Sequence, residues 1–181
     1  MSVQEPVAPP LVQYLLAGFE LSVPQKPAPP QHEVSGEQGV AHELLLRQVS
    51  LAVQQTAPQT LSDEMRCLAG AIYFEARGES LEGRLAVGRV VVNRAESGRF
   101  PASYCGVVYQ PSQFSFIRGR AMPAIRENSQ DWREAVAIAR IADDGAWSSP
   151  VQGALFFHAA RVSPGWHLTR LARVDNHVFY R

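Results

Sequence analysis

The sequence predicts an α+β fold for its C-terminal two-thirds. Three stretches between residues 62 and 142 repeat apolar side chains at helical spacing, β-like runs follow residue 150, and helices therefore come first and strands last. The N-terminal third has a different composition. It holds 8 of the 13 prolines, while 14 of the 16 aromatic residues lie after residue 60. Residues 1–60 are expected to form a Pro/Gln-rich arm or linker, and residues 61–181 a folded domain.

The elements follow in chain order. Segments 6–10 (PVAPP) and 24–30 (PQKPAPP) cannot form long helices or central strands, because proline fixes φ and lacks the amide donor. Between them, Val12–Leu21 is apolar but too short to span a membrane, so no transmembrane segment is expected. This stretch has neither the basic start nor the small-residue cleavage site of a secretory signal. Residues 41–55 read as a helix packing on the domain, with Leu44, Leu45, Val49 and Ala52 near one face. Ser62 can cap the next helix, whose first turn carries Asp63 and Glu64, where negative charge suits the dipole. Met65, Leu68, Ala69, Ile72 and Ala76 supply its apolar face, and Gly78 a stop. A second strong helix is expected over 81–96, burying Leu85, Val87, Val90 and Val91, before Phe100-Pro101 breaks the pattern. A helical turn is expected at Cys105–Tyr109, a strand at Gln113–Phe116, and a third strong helix over 129–142. Ala154–His158 and a segment near Asn176–Tyr180 read as strands, with a Ser-Pro-Gly turn at 163–165 between them.

Charge narrows the function classes. Seventeen bases balance seventeen acids, so the excess expected of a phosphate-backbone binder is missing and no nucleic-acid partner is expected. The zero conceals a split: residues 1–60 carry two bases against five acids, and residues 61–181 carry fifteen arginines against twelve acids. No glycine-rich phosphate loop and no paired-cysteine metal motif occurs, and no cofactor or metal is expected.

Glu75 differs from the other acids. It lies near the end of a mostly apolar helix, directly after Ile72, Tyr73 and Phe74. The dipole at a helix C-terminus and apolar surroundings both disfavour a carboxylate, so its pKa should rise. A raised pKa is what a general acid needs near neutral pH. Glu79 can approach it and raise it further, or pair with Arg77; the plainer alternative is an ordinary helix-end carboxylate held by Arg77.

The stretch Cys67–Glu79 (CLAGAIYFEARGE), followed by Gly83, Ala86-Val87, Val90 and Asn93-Arg94, resembles the SleB-type cell-wall hydrolases, the spore-cortex-lytic enzymes and their relatives in non-sporulating bacteria. Further matches are Phe100-Pro101, Gly106 to Val108, Gln113 to Ser115, Ala154 to Phe157 and His177 to Phe179. The resemblance covers roughly residues 62–181 in unbroken order, and its most specific part is the Glu-Ala-Arg-Gly-Glu core at 75–79. It implies a lysozyme-like helical bundle with a catalytic helix and a small C-terminal antiparallel sheet. It also implies a lytic transglycosylase acting on peptidoglycan glycan strands, with Glu75 as the catalytic acid. A hydrolysing glycosidase normally needs two carboxylates, whereas a lytic transglycosylase can work with one. The alternatives are a hydrolytic muramidase, a zinc-dependent amidase using His158 and His177, and a wall-binding module without turnover.

Substrate contacts are expected from Glu79, Gln113, Phe114, Ser115, Phe157 and His177, with Trp166 as a further ring. The aromatic residues among them are equally candidates for core, and Asn93-Arg94 for tying off a helix end. In a wall-facing protein Cys67 and Cys105 are expected to pair and pin a loop to the catalytic helix; two buried free thiols are the alternative. Such a substrate places the protein in the periplasm or cell wall, by export or by a phage-style release. The Pro-rich arm then serves as a tether or as a docking segment for a protein partner.

Overall fold

The computed structural model describes residues 36–55, 61–145, 147 and 149–181. Five helices precede a three-stranded sheet: α1 (Gly36–Gln55), α2 (Asp63–Glu75), α3 (Leu81–Glu96), α4 (Tyr104–Val108), α5 (Gln130–Asp144), β1 (Phe156–Ala159), β2 (Arg170–Val174) and β3 (His177–Tyr180). The proline segments and the Val12–Leu21 run lie outside the described residues.

Serine starts four of these helices. Ser62, Ser80, Ser103 and Ser129 each hold extended backbone and accept a hydrogen bond from the amide three residues on, which satisfies one orphan donor of the first turn. These caps set the starts of α2 and α3 where the sequence places them. At the other end of α5, Gly145 takes φ 65°, the left-handed conformation that lets the chain turn off the helix.

The helices pack because small residues let them approach. A Cβ on Gly88 of α3 would meet the Ile72 Cδ1 of α2 at 2.9 Å and the Ala142 Cβ of α5 at 3.2 Å. Around this contact Leu68, Ile72, Leu85, Val91 and Ile138 are fully buried. Each such side chain contributes about 1.5–3 kcal/mol by leaving water. An ion pair from Arg84 to Glu134 (2.7 Å) and a bond from Arg89 Nη1 to the Ala142 carbonyl (2.6 Å) join α3 to α5 along the edge of this core.

Helix α1 begins at Gly36, five residues before the stretch that reads as helical in the sequence. Leu45 and Val49 enter the core and the helix lies against α5, while Leu44 is 51% exposed and faces outward with Val40 and Leu51. His42 Nδ1 lies 2.5 Å from Glu82 Oε1, tying α1 to α3.

A disulfide joins Cys67 of α2 to Cys105 of α4, with Cα atoms 5.1 Å apart. Glu64 reinforces the junction, its Oε2 accepting from the backbone amides of Tyr104 (2.5 Å) and Cys105 (3.1 Å).

The sheet is antiparallel with order β1-β3-β2, so the last strand in sequence is the central one. His177 pairs with Ala159 on one side and Val174 on the other. Two expectations are corrected here. Gln113–Phe116 forms successive turns rather than a strand, because its residues run between Gln110 and Ile117 on local bonds such as Gln113 N to Gln110 O (3.3 Å). The strand expected from Ala154 begins at Phe156, after Ala154 and Leu155 give their carbonyls to Asn93 and Arg94. Strand β2 has no counterpart in the sequence reading; its run RLARV lacks a clean apolar alternation.

Candidate active site

The site forms where α2 ends. Glu75 is the last residue of α2, Ala76 caps it, and Gly78 takes φ 86° in the turn leading to Ser80 at the start of α3. The amide of Glu79 bonds the Ala76 carbonyl at 3.1 Å, so this tight turn brings the second acid of the core back beside the first. A cleft of about 510 Å³ opens over them, lined by Glu75, Glu79 and His177 together with Arg161, Arg173 and Asn176.

The two acids differ in their partners. Glu79 is engaged by His177, whose Nδ1 lies 3.0 Å from Oε1 and 3.1 Å from Oε2. Both side chains of this pair are under one-tenth exposed, and the imidazole stands edge-on against Phe157 at 5.1 Å. Glu75 has its pKa raised from the ordinary value of 4.5, chiefly because burial disfavours the charged form. A positive charge on His177 pulls it down and the charge of Glu79 pushes it up, both less strongly than burial. Arg77 is not the partner of either acid; its guanidinium lies 5.7 Å from the Tyr73 ring centre. Burial thus favours the neutral form of Glu75, while Glu79 is held in place by His177.

A second contact fixes the strand that brings His177. Asp175, in the β2–β3 turn at φ 46°, accepts from the backbone amide of Ser80 (2.9 Å) and from its hydroxyl (2.6 Å). The same hydroxyl accepts from the Gly83 amide at 3.1 Å. Gly83 has no side chain to intrude: a Cβ there would land on Asp175 Oδ2 and come within 2.9 Å of Glu79 Oε2. Loop, strand and helix thus meet at one glycine.

The other candidates lie elsewhere. Gln113 Oε1 accepts from Arg94 Nη1 at 3.3 Å, and Ser115 is exposed. Phe114 is buried against Phe116 and Phe157, while Phe157 backs the imidazole of His177 from the core side. None of Gln113, Phe114 and Ser115 lines the cleft that holds Glu75. Trp166 stacks edge-on with Phe156, His158 and Tyr180. His158 bonds the Tyr180 hydroxyl at 2.9 Å and does not converge with His177 on a common ligand. Among the described residues there is no group of three or more His, Cys, Asp or Glu that could hold a metal ion. Arg94 is buried between helix and sheet. Its Nε donates to the Leu155 carbonyl at 2.7 Å, its guanidinium lies 4.9 Å from the Phe100 ring centre, and burial lowers its pKa to about 10. The side chains of Asn93 and Arg94 therefore anchor the entry to β1, while the Arg94 carbonyl closes the end of α3 by accepting from the Ser97 amide and hydroxyl. Arg161, Arg173, Asp175 and Ser80 were not visible as site residues in the sequence, since each earns its place only through the sheet.

A helical bundle closed by a small antiparallel sheet, with a carboxylic acid at the end of a buried helix, is a lysozyme-like arrangement. The profile of the family described as Cell Wall Hydrolase matches residues 78–180, beginning three residues after Glu75, and the chain belongs to that family. The chain is 31% identical over 128 residues to a spore cortex-lytic enzyme of Oceanobacillus iheyensis, covering 67% of this chain and 43% of that protein. It thus spans about two-fifths of the length of this curated relative. The catalytic domain of the Bacillus cereus SleB protein superposes with a TM-score of 0.54 at 25% identity, over 70% of this chain and 97% of that one. The catalytic domain of a germination-specific lytic transglycosylase, SleB from Bacillus anthracis, shares the fold with a TM-score of 0.55 at 24% identity, over 69% of this chain and all of that one. No helix among the described residues is long and apolar enough to cross a membrane.

Proposed function

We propose that the protein is a lytic transglycosylase that cleaves the bond from N-acetylmuramic acid to N-acetylglucosamine in peptidoglycan, with Glu75 as acid and then base. The observation that carries this reading is the division of labour between the two cleft acids. Glu75 has a raised pKa, and Glu79 is tied by both oxygens to His177. One proton-carrying acid suits a reaction that needs no second carboxylate to activate water or attack the sugar. The names of the relatives, spore cortex-lytic enzyme and lytic transglycosylase, support the same choice.

Protonated Glu75 donates to the glycosidic oxygen as the bond to C1 of the muramyl unit breaks, releasing the N-acetylglucosamine hydroxyl. The oxygen of the substrate's own N-acetyl group meets the positive charge at C1. The Glu75 carboxylate then takes the proton of the muramyl 6-hydroxyl, whose oxygen closes on C1 and displaces the acetamido oxygen. The product is a 1,6-anhydro sugar, Glu75 is protonated again, and no water is consumed. The substrate lies outside the inner membrane, so the protein acts there after export or phage-style release, with the N-terminal arm as tether or docking segment.

The test is digestion of purified sacculi. Glu75→Gln should lower release of soluble fragments by at least about a thousandfold without lowering the melting temperature, in the range expected for losing an acid and base together. Mass spectra of wild-type products should show 1,6-anhydro ends. Reducing ends would mean a muramidase, and freed peptide stems an amidase.

A further inference from the structure

The cleft carries a charge that the proton chemistry does not use. Its floor holds two largely buried acids, Glu75 at the end of α2 and Glu79 paired with His177. Its rim holds two exposed guanidinium groups, Arg161 and Arg173, on the same cavity. The sheet puts them on either side of His177. That residue opens the central strand, opposite Ala159 of β1 and Val174 of β2; Arg161 lies two residues past Ala159, and Arg173 immediately precedes Val174. The Nε of Arg173 donates to the Asp175 carbonyl at 3.2 Å, which orients the group and leaves its terminal nitrogens for a ligand. The neighbouring Asp175 carboxylate is engaged by Ser80, turned toward α3.

A planar guanidinium matches a carboxylate with two parallel hydrogen bonds, and a pair of them flanking a cleft selects an anion. We infer that Arg161 and Arg173 form a carboxylate subsite beside the reacting bond, so that the favoured substrate is glycan whose muramyl units carry a free carboxylate. This rests on the glycan-cleaving reading above. The carboxylate is either that of the lactyl group or that of the peptide stem joined to it. A muramyl unit in which this group is neutral loses the contact.

Three substrates separate the cases: glycan with peptide stems intact, glycan stripped of stems so that the lactyl carboxylate is free, and stripped glycan whose carboxylates are amidated. The double variant Arg161→Gln/Arg173→Gln should raise KM roughly tenfold on a carboxylate-bearing substrate, with kcat little changed, because a charge-assisted bond at an exposed rim contributes modestly. KM on amidated glycan should stay as in wild type. Loss confined to stem-bearing glycan assigns the stem carboxylates, and loss confined to stripped glycan the lactyl group; loss on both assigns either carboxylate. Arg47→Gln on α1 removes the same charge at a residue that does not line the cleft and should change nothing. Equal loss on all three substrates, or no loss on any, overturns the inference. Binding of the same glycans by Glu75→Gln, with and without the arginine changes, reads the subsite independently of turnover. Wild type that cuts no glycan would sink the catalytic reading, while arginine-dependent binding would still decide the subsite.

Discussion

Three influences act on one proton at Glu75, and burial outweighs the opposing charges of His177 and Glu79. The folded state therefore binds that proton more tightly than the unfolded chain does. Its stabilising contribution is complete below 4.5, the ordinary value, and is lost as pH rises through the elevated folded pKa. Glutamine mimics the neutral acid at every pH. Glu75→Gln should thus match wild type in melting temperature at acid pH and exceed it increasingly as pH rises through that window. A constant gap, or a gap that widens toward acid, would contradict the assignment. Glu75 was legible in the sequence because its own neighbours, Ile72 to Phe74, create the apolar surroundings that raise it. The pairing of Glu79 with His177 was not, since it joins residues 98 apart and arises only when the sheet folds onto the helix turn.

At the level of elements, the junction of α3 with the β2–β3 turn sets the distance between the sheet and the acids. Gly83→Ala tests it. Alanine suits a helix better than glycine by up to about 1 kcal/mol, so the helix itself gains. The new Cβ, however, would displace the Asp175 and Glu79 carboxylates. The expected result is a fall in kcat of roughly tenfold or more with a melting temperature changed by only a few degrees, on the scale that misplacement at a site produces. A variant of normal activity would show that the close approach is incidental. The helices were read well because their signals are local: Ser62 begins α2, and alternating apolar turns mark α3 from Leu81 to Glu96. Strand β2 was not, because Arg170 and Arg173 are held by the register with β3 and not by an apolar face of their own. The strand expected at Gln113–Phe116 is instead a run of turns from which Phe114 and Phe116 pack into the core.

Across the whole molecule, the Cys67–Cys105 disulfide closes a separation of 38 residues that includes Glu75 and all of α3. The chain-entropy estimate for a loop of this length is about 4 kcal/mol. Cys67→Ser/Cys105→Ser should lower the unfolding free energy by up to that amount in denaturant titrations, and reductant should lower wild type toward the variant but leave the variant unmoved. A reductant-insensitive wild type would argue against the bridge. A small sheet also has ends at which another strand could dock. Among the described residues β2 pairs with β3 alone, and two of its five residues are arginines. A charged, short edge is a poor template for a neighbouring chain, since docking a second copy would set like charges side by side. Arg173, which lines the cleft from this strand, thereby also discourages two crowded molecules from zipping together edge to edge.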